Sequence, residues 1–265
     1  MPPFFKKYAL ACLAIAILSL IVFKHSQTLE KQPHETLVIG LQSGYPPFEF
    51  MDNTGKLVGF DIDLATEIAA KLNKVLVVKD MEFEGEILSL KQDKIDLIVS
   101  GMNITPSRLK EIAMVPYHGE AATALSLMFW NEIPQNIHSL EDIALFPHFA
   151  VSVESGTIPE AFIEHYPAIQ SKSFQGALAP LMDVKYGKSV ANLVEPDVAA
   201  YLKKQHPEIK ILNVPLPKEE AIQGFGIGIK KENQELVQQI QQIIQELKSS
   251  GKLKEIESKW FKGDE

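Results

Sequence analysis

From Leu37 onward, short apolar runs alternate with segments whose apolar residues recur every three to four positions. The runs, bounded by turn residues, predict buried strands, and the three-to-four spacing predicts helices. Strands are expected at 37–40, 75–78 and 95–99, then at 149–153, 171–174, 190–194 and 209–214, and finally at 224–229. Helices are expected over 61–72 with Asp61 as cap, over 84–91, and from Thr105-Pro106 onward. Later helices are expected near 159–166, then up to Lys188 with Pro180 kinking or shortening it, over 196–205 and over 233–249. Gly251 stops that long helix, and a last one ends near Trp260. Tyr45-Pro46-Pro47-Phe48 reads as a rigid turn, because two prolines fix the backbone. Strand–helix alternation predicts parallel sheets with helices on both faces, and two such sets in about 230 residues predict two α/β lobes. Ligands in such folds sit beyond the carboxyl ends of the strands, so facing lobes would form a cleft there.

The amino-terminal pattern is different. Lys6 and Lys7 precede an uncharged apolar run at 8–23, and Lys24 follows it. Residues 1–26 are therefore expected to be a signal peptide or a membrane anchor, and 27–35 a polar linker. The run is short for a spanning helix and ends in bulky rather than small residues, which leaves both readings open. Cys12, the only cysteine, lies inside it, either as a lipid-attachment site or as a small apolar residue. No disulfide or thiolate nucleophile is possible after it.

Composition narrows the class. With 46% hydrophobic and 23% charged residues, the chain is neither disordered nor a multi-span membrane protein. The formal charge is -8. Without Lys6, Lys7 and Lys24 the 26 basic residues become 23 against 34 acidic ones, a net -11. An acidic surface argues against nucleic acid, whose phosphates need a Lys/Arg excess.

The most specific local chemistry is Ser100-Gly101-Met102-Asn103-Ile104-Thr105-Pro106-Ser107-Arg108. Thr105 is a good amino cap, Pro106 suits the first helical position, and Arg108 falls in the first turn. A guanidinium beside unpaired N–H groups suits a carboxylate, although a surface arginine on an ordinary helix fits the same segment. Ser155-Gly156-Thr157 opens a second helix after a strand and could serve the same anion. Glu195, directly after the strand at 190–194, could meet an ammonium group or be a solvated acid before a helix. Tyr45 is rigidly held. An anion pocket, an acid and aromatic surfaces together match a free α-amino acid. Enzyme motifs are absent: no Gly-x-Ser-x-Gly, no Walker loop, no His-Glu-x-x-His, and seven histidines without metal-ligand spacing.

In order along the chain stand Ile39-Gly40, Tyr45-Pro46-Pro47-Phe48-Glu49-Phe50 and Val58-Gly59-Phe60-Asp61-Ile62-Asp63-Leu64-Ala65. Then come Ile95-Asp96-Leu97-Ile98, the Gly101-to-Arg108 segment, Ser155-Gly156-Thr157 and Gly224-Phe225-Gly226-Ile227-Gly228. This succession resembles the polar amino-acid-binding proteins of bacterial ABC importers, periplasmic solute-binding family 3. The spacing around Ser107-Arg108-Leu109-Lys110-Glu111-Ile112 looks most like arginine-binding members.

The resemblance implies a two-lobe α/β periplasmic binding protein fold of type II. Each lobe would be a mostly parallel sheet flanked by helices, with two hinge strands between them. Lobe one would hold 36–122 plus 224–265, and lobe two 123–223. Arg108 matches the arginine that binds the α-carboxylate, helped by amides near Asn103 and Thr157. Ser100 and Gly101 match positions contacting the amino group or side chain. Glu195 falls where an Asp usually takes the ammonium, and Tyr45 and Phe83 match an aromatic pair around the ligand side chain. Gln42 stands where several basic-amino-acid binders carry an acid. The implied function is capture of a polar or basic amino acid, arginine favoured, for the permease of an ABC importer in the inner membrane. The protein would work as a periplasmic monomer, free or tethered by 8–23, without cofactor, metal or catalysis. Two alternatives fit the same fold. One is a dehydratase-like enzyme acting on a cyclic carboxylic acid. The other is a ligand-sensing module for a separate membrane partner.

Overall fold

The computed structural model describes residues 35–218 and 221–261. The expected signal or anchor, Cys12 and nearly all of the linker lie outside these residues. Among the described residues no helix is long and apolar enough to cross a membrane.

The chain begins with β1 (Thr36–Leu41), the short pair β2 (Phe50–Met51) and β3 (Leu57–Val58), and helix α1 (Phe60–Lys71). It continues through β4 (Val75–Asp80), α2 (Phe83–Lys91), β5 (Leu97–Ile98), α3 (Pro106–Glu111) and β6 (Ala113–His118). A second group follows: β7 (Ala124–Trp130), β8 (Ala150–Glu154), α4 (Ile158–Ile163), β9 (Gln170–Phe174) and α5 (Leu178–Lys185). That group ends with β10 (Ala191–Val194), α6 (Pro196–Gln205) and β11 (Ile209–Pro215). Then come β12 (Phe225–Ile229), α7 (Gln234–Ser249) and α8 (Lys252–Trp260).

Two five-stranded sheets result, ordered β4-β1-β5-β12-β6 and β11-β7-β10-β8-β9. This is the expected two-lobe α/β architecture with one correction: the sheets are mixed rather than mostly parallel. β1 runs parallel to β4 and β5, but β12 is antiparallel to β5 and β6. β8 runs parallel to β9 and β10, but β7 is antiparallel to β10 and β11. The antiparallel pairings centre on β12 in the first sheet and β7 in the second; periodicity flags β12 but neither β7 nor β6, the outer neighbour of β12. β6 contains Pro116, which cannot donate to a ladder and is tolerated because β6 is an edge strand. β7 is apolar at nearly every position, and such a run is not separable from a buried helix by periodicity.

Two helix starts also differ from expectation. Asp61 is not a cap: Gly59 is the N-cap of α1, and Asp61 lies inside the helix, wholly buried. Pro180 neither kinks nor breaks α5, because it sits in the first turn, where its missing N–H has no intrahelical partner to lose. The long helix behaves as read. Asn233 caps α7 through the Leu236 N–H, and Ile240, Ile243, Ile244 and Leu247 are buried against the core shared with α1 and the first sheet. The chain passes between the sheets twice, after β6 and before β12. The two crossings lie side by side, with Ala122 and Ile222 exchanging both backbone hydrogen bonds at 3.0 and 2.9 Å.

Candidate functional site

The carboxyl ends of β1, β5, β8 and β10 and the starts of α2, α3, α4 and α6 converge on one narrow cavity. Of the nine expected site residues, Gln42, Tyr45, Phe83, Ser100, Gly101, Asn103, Thr157 and Glu195 line it. The ninth, Arg108, stands beside it, with its guanidinium carbon 5.1 Å from the centre of the Phe83 ring.

Local sequence sets the arginine. The Thr105 hydroxyl accepts the Arg108 backbone N–H at 3.2 Å, and Pro106 opens α3. The side chain then folds back over the helix start. Its Nη1 donates to the Asn103 carbonyl at 2.8 Å, and its Nη2 donates across the cleft to the Gly156 carbonyl at 3.0 Å. Two of its five N–H donors are used, which leaves three. Other contacts also join the two halves. The Gln42 amide donates to Gln175 at 3.2 Å, the Ala177 N–H donates to the Gly44 carbonyl at 3.1 Å, and Ser155 donates to Glu84.

The aromatic and small residues are held from behind. Tyr45 stacks on Phe48 with centroids 5.5 Å apart. A β-carbon at Gly101 would lie 2.7 Å from the Tyr45 ring, so only glycine lets that ring sit there. The Gln42 carbonyl oxygen accepts the Phe83 N–H at 3.0 Å, so this side chain braces the aromatic wall. The Ser100 hydroxyl donates to Glu86 at 2.7 Å, and its oxygen accepts the Gln42 N–H at 3.1 Å. Thr157 caps α4 in extended geometry, and its hydroxyl donates to the Glu154 carbonyl at 2.6 Å. Glu195 precedes α6, is only 2% exposed, and lines the cavity together with Tyr45.

Two further acids line the cavity, Glu49 and Glu154. The sequence reading does not single them out. Glu154 ends β8 as Glu195 follows β10, so the rule that ligands sit beyond strand ends applies equally to both. Glu49, Asp61 and Glu86 are fully buried. Asp61 accepts the Gly101 N–H at 2.6 Å and the Tyr117 hydroxyl at 2.9 Å. Burial raises its pKa to about 6, although those two donors pull it down. Burial likewise pushes Glu49, Glu86, Glu154 and Glu195 up, with neighbouring carboxyls adding to each. Burial also lowers the Arg108 pKa, against the pull of Glu195 and Glu86.

A pH dependence of stability follows. These acids hold protons more tightly folded than unfolded, so their contribution is complete below the unfolded pKa. For Asp61 it is lost as pH rises from 3.8 through about 6, a change on the order of 3 kcal/mol. Exposed acids held low by partners, such as Asp52 by Thr54, act only below this window. Urea unfolding is expected to give a higher midpoint at pH 5 than at pH 8. A flat profile would mean that these carboxyls ionise without cost.

Comparison with known proteins bears on the family. Residues 37–263 match the profile of the bacterial extracellular solute-binding proteins, family 3. The probable ABC transporter arginine-binding protein ArtJ of Chlamydia trachomatis serovar D is 41% identical over 226 residues, 85% of this chain and 86% of that protein. A mutant of ArgBP from T. maritima superposes with a TM-score of 0.77 at 33% identity, covering 86% of this chain and 95% of that one. The ancestral amino acid-binding protein AncCDT-1, described as a precursor of cyclohexadienyl dehydratase, superposes with a TM-score of 0.75 at 29% identity, covering 85% and 95%. The expected family is thereby borne out. This chain belongs to the bacterial extracellular solute-binding proteins, family 3.

Proposed function

We propose that the protein captures a free amino acid outside the cytoplasm, arginine in first place, and hands it to the membrane permease of an ABC importer. The observation that carries this reading is the pairing of Arg108 and Glu195 across one cavity, from opposite sheets. Arg108 takes the α-carboxylate with its remaining forked donors, next to the N–H groups around Asn103 and Thr157. Glu195 takes the ammonium group, with Ser100 and Gly101 beside it. Tyr45 and Phe83 flank the side chain, and Gln42 holds Phe83 in place. Lobes of 36–122 with 224–265 and of 123–223 close on the ligand about the paired crossings at Ala122 and Ile222. The closed form is the state that the permease reads. The names of ArtJ and ArgBP support arginine and transport rather than catalysis. The setting is the periplasm, and the protein acts as a monomer.

Micromolar affinity needs about 8 kcal/mol. Two charge-assisted clusters at about 1.5–3 kcal/mol per bond supply that, because closure removes water from both. The test is a thermal-shift screen against the twenty amino acids. A ligand at a hundred times its dissociation constant stabilises by about 2.7 kcal/mol, a rise of roughly 5–10 °C in Tm for a chain of this size. Arginine is expected to give the largest shift. A screen in which no amino acid raises Tm would overturn the reading.

A further inference from the structure

Asp61 stands behind the cavity rather than on its wall. It lies inside α1, is wholly buried, and does not line the cavity. One of its carboxylate oxygens, Oδ2, accepts two hydrogen bonds, from the Gly101 N–H at 2.6 Å and from the Tyr117 hydroxyl at 2.9 Å. Its own N–H donates to the Phe48 carbonyl at 2.9 Å, so the acid is fixed at both ends. The two donors belong to different parts of the molecule. Tyr117 is a buried residue of β6 that stacks on Phe60 with centroids 5.7 Å apart. Gly101 is a residue of the cavity wall. A single oxygen atom therefore ties a core tyrosine to the site.

The tie to Gly101 matters because of how the rest of its loop is held. On one side the Val99 N–H donates to the Gly40 carbonyl at 3.1 Å, and on the other the Gly226 N–H donates to the Met102 carbonyl at 2.9 Å. Between these tethers stand Ser100 and Gly101, both lining the cavity, and Asp61 grips the peptide that joins them. A trans peptide points its N–H and C=O in opposite directions, so the same bond also sets the direction of the Ser100 carbonyl. Gly101 is left-handed, at φ 50, and a β-carbon there would meet the Tyr45 ring. That ring packs against the bare position, so a rotation of the peptide would displace it as well. At 2.6 Å the bond is short, as backbone N–H bonds to carboxylates are.

Resting on the amino-acid reading above, we propose that Asp61 is a positioning residue for ligand binding, which acts through Gly101 without touching the amino acid. It fixes the wall against which the ammonium end and the Tyr45 ring are set. Its bond to Tyr117 serves the fold alone. The two functions of one oxygen are therefore separable: the bond to Gly101 governs affinity, and the bond to Tyr117 governs stability. Without the first, the Ser100–Gly101 peptide samples other tilts, and apparent affinity falls by the fraction of molecules that keep the competent one.

The test is calorimetry with arginine on the full-length chain, paired with the amide proton resonance of Gly101 in isotope-labelled protein. Asp61→Leu keeps the bulk and removes the acceptor. Arginine affinity is expected to fall about tenfold or more, and the Gly101 proton to move upfield. Asp61→Asn keeps an oxygen able to accept from both donors, and it is expected to restore affinity to within about threefold of the parent. Tyr117→Phe removes only the donor on the fold side. It is expected to lower the urea midpoint and to leave arginine affinity within about twofold. Equal losses of affinity in Y117F and D61L would assign Asp61 to the fold and overturn the inference, as would a D61L variant that binds as tightly as the parent. Should D61L not fold, the Gly101 proton decides: it is expected well downfield in the parent and shifted upfield in D61N, and an ordinary position in the parent would overturn the inference. A parent that binds no amino acid, with the Gly101 proton still downfield, would overturn the amino-acid reading and this role with it.

Discussion

Replacing Arg108 by alanine is expected to weaken amino-acid binding at least a hundredfold, measured by calorimetry. The guanidinium stands between the Asn103 and Gly156 carbonyls with three donors unspent, over the face of Phe83. Two charge-assisted bonds to a carboxylate in a desolvated site are together worth about 3 kcal/mol or more, which is over two orders of magnitude in affinity. A second loss adds to this. The bond to Gly156 joins the two halves, so its removal also weakens the closed form. The fold should survive, because the Thr105 cap uses the Arg108 backbone N–H, which alanine keeps. Arg108→Lys should fall between, with the charge retained and the fork lost. An R108A variant within fivefold of the parent affinity would remove the carboxylate role.

The largest effect on stability is expected from Gly59→Ala. Gly59 sits at φ 139 and ψ 174, a region open essentially to glycine alone. A β-carbon there would lie 2.0 Å from the Phe48 carbonyl oxygen and 2.9 Å from the Glu49 α-carbon. Both neighbours are backbone, so no side chain can swing aside. The same stretch is fixed by the Phe60 N–H on the Pro47 carbonyl at 3.0 Å and the Asp61 N–H on the Phe48 carbonyl at 2.9 Å. Relief of the clash must therefore tear the Tyr45–Phe48 turn away from α1. Strain of about 1–3 kcal/mol plus two endangered hydrogen bonds gives an expected loss of at least 3 kcal/mol in urea unfolding. Gly85→Ala, with nothing within 4 Å of the added carbon, is the control and should be neutral or slightly stabilising. Equal midpoints for the two variants would refute the steric argument.

Features set by neighbours in the chain were legible from sequence. The Thr105-Pro106 start, the Asn233 cap and the bounds of α6 follow from local chemistry, and each is where the residues put it. Features set by distant partners were not. Asp61 has the composition of a cap, yet its carboxylate is claimed by Gly101, forty positions on, and by Tyr117 beyond that. β6 hides behind Pro116, which disqualifies a central strand and becomes acceptable only once the strand is known to lie at an edge. The cavity was half visible. Arg108, Glu195, Tyr45 and Phe83 were reachable through motif and resemblance, whereas the surplus of acid was not. Glu49, Glu86 and Glu154 come from a turn, a helix and a strand end in different parts of the chain, and only the fold shows that Glu49 and Glu154 line one cavity with Glu86 behind Ser100.

The position of β12 has a consequence for the order of assembly. This strand is made late, yet it lies between β5 and β6, both made early. During synthesis the first sheet therefore has a gap until residues 225–229 emerge. The second sheet draws all its strands from 124–215 and is complete before then. The middle of the chain should accordingly finish first and the two outer segments last. A chain ending between 215 and 225 and released from the ribosome would hold one completed half and one with an unfilled slot.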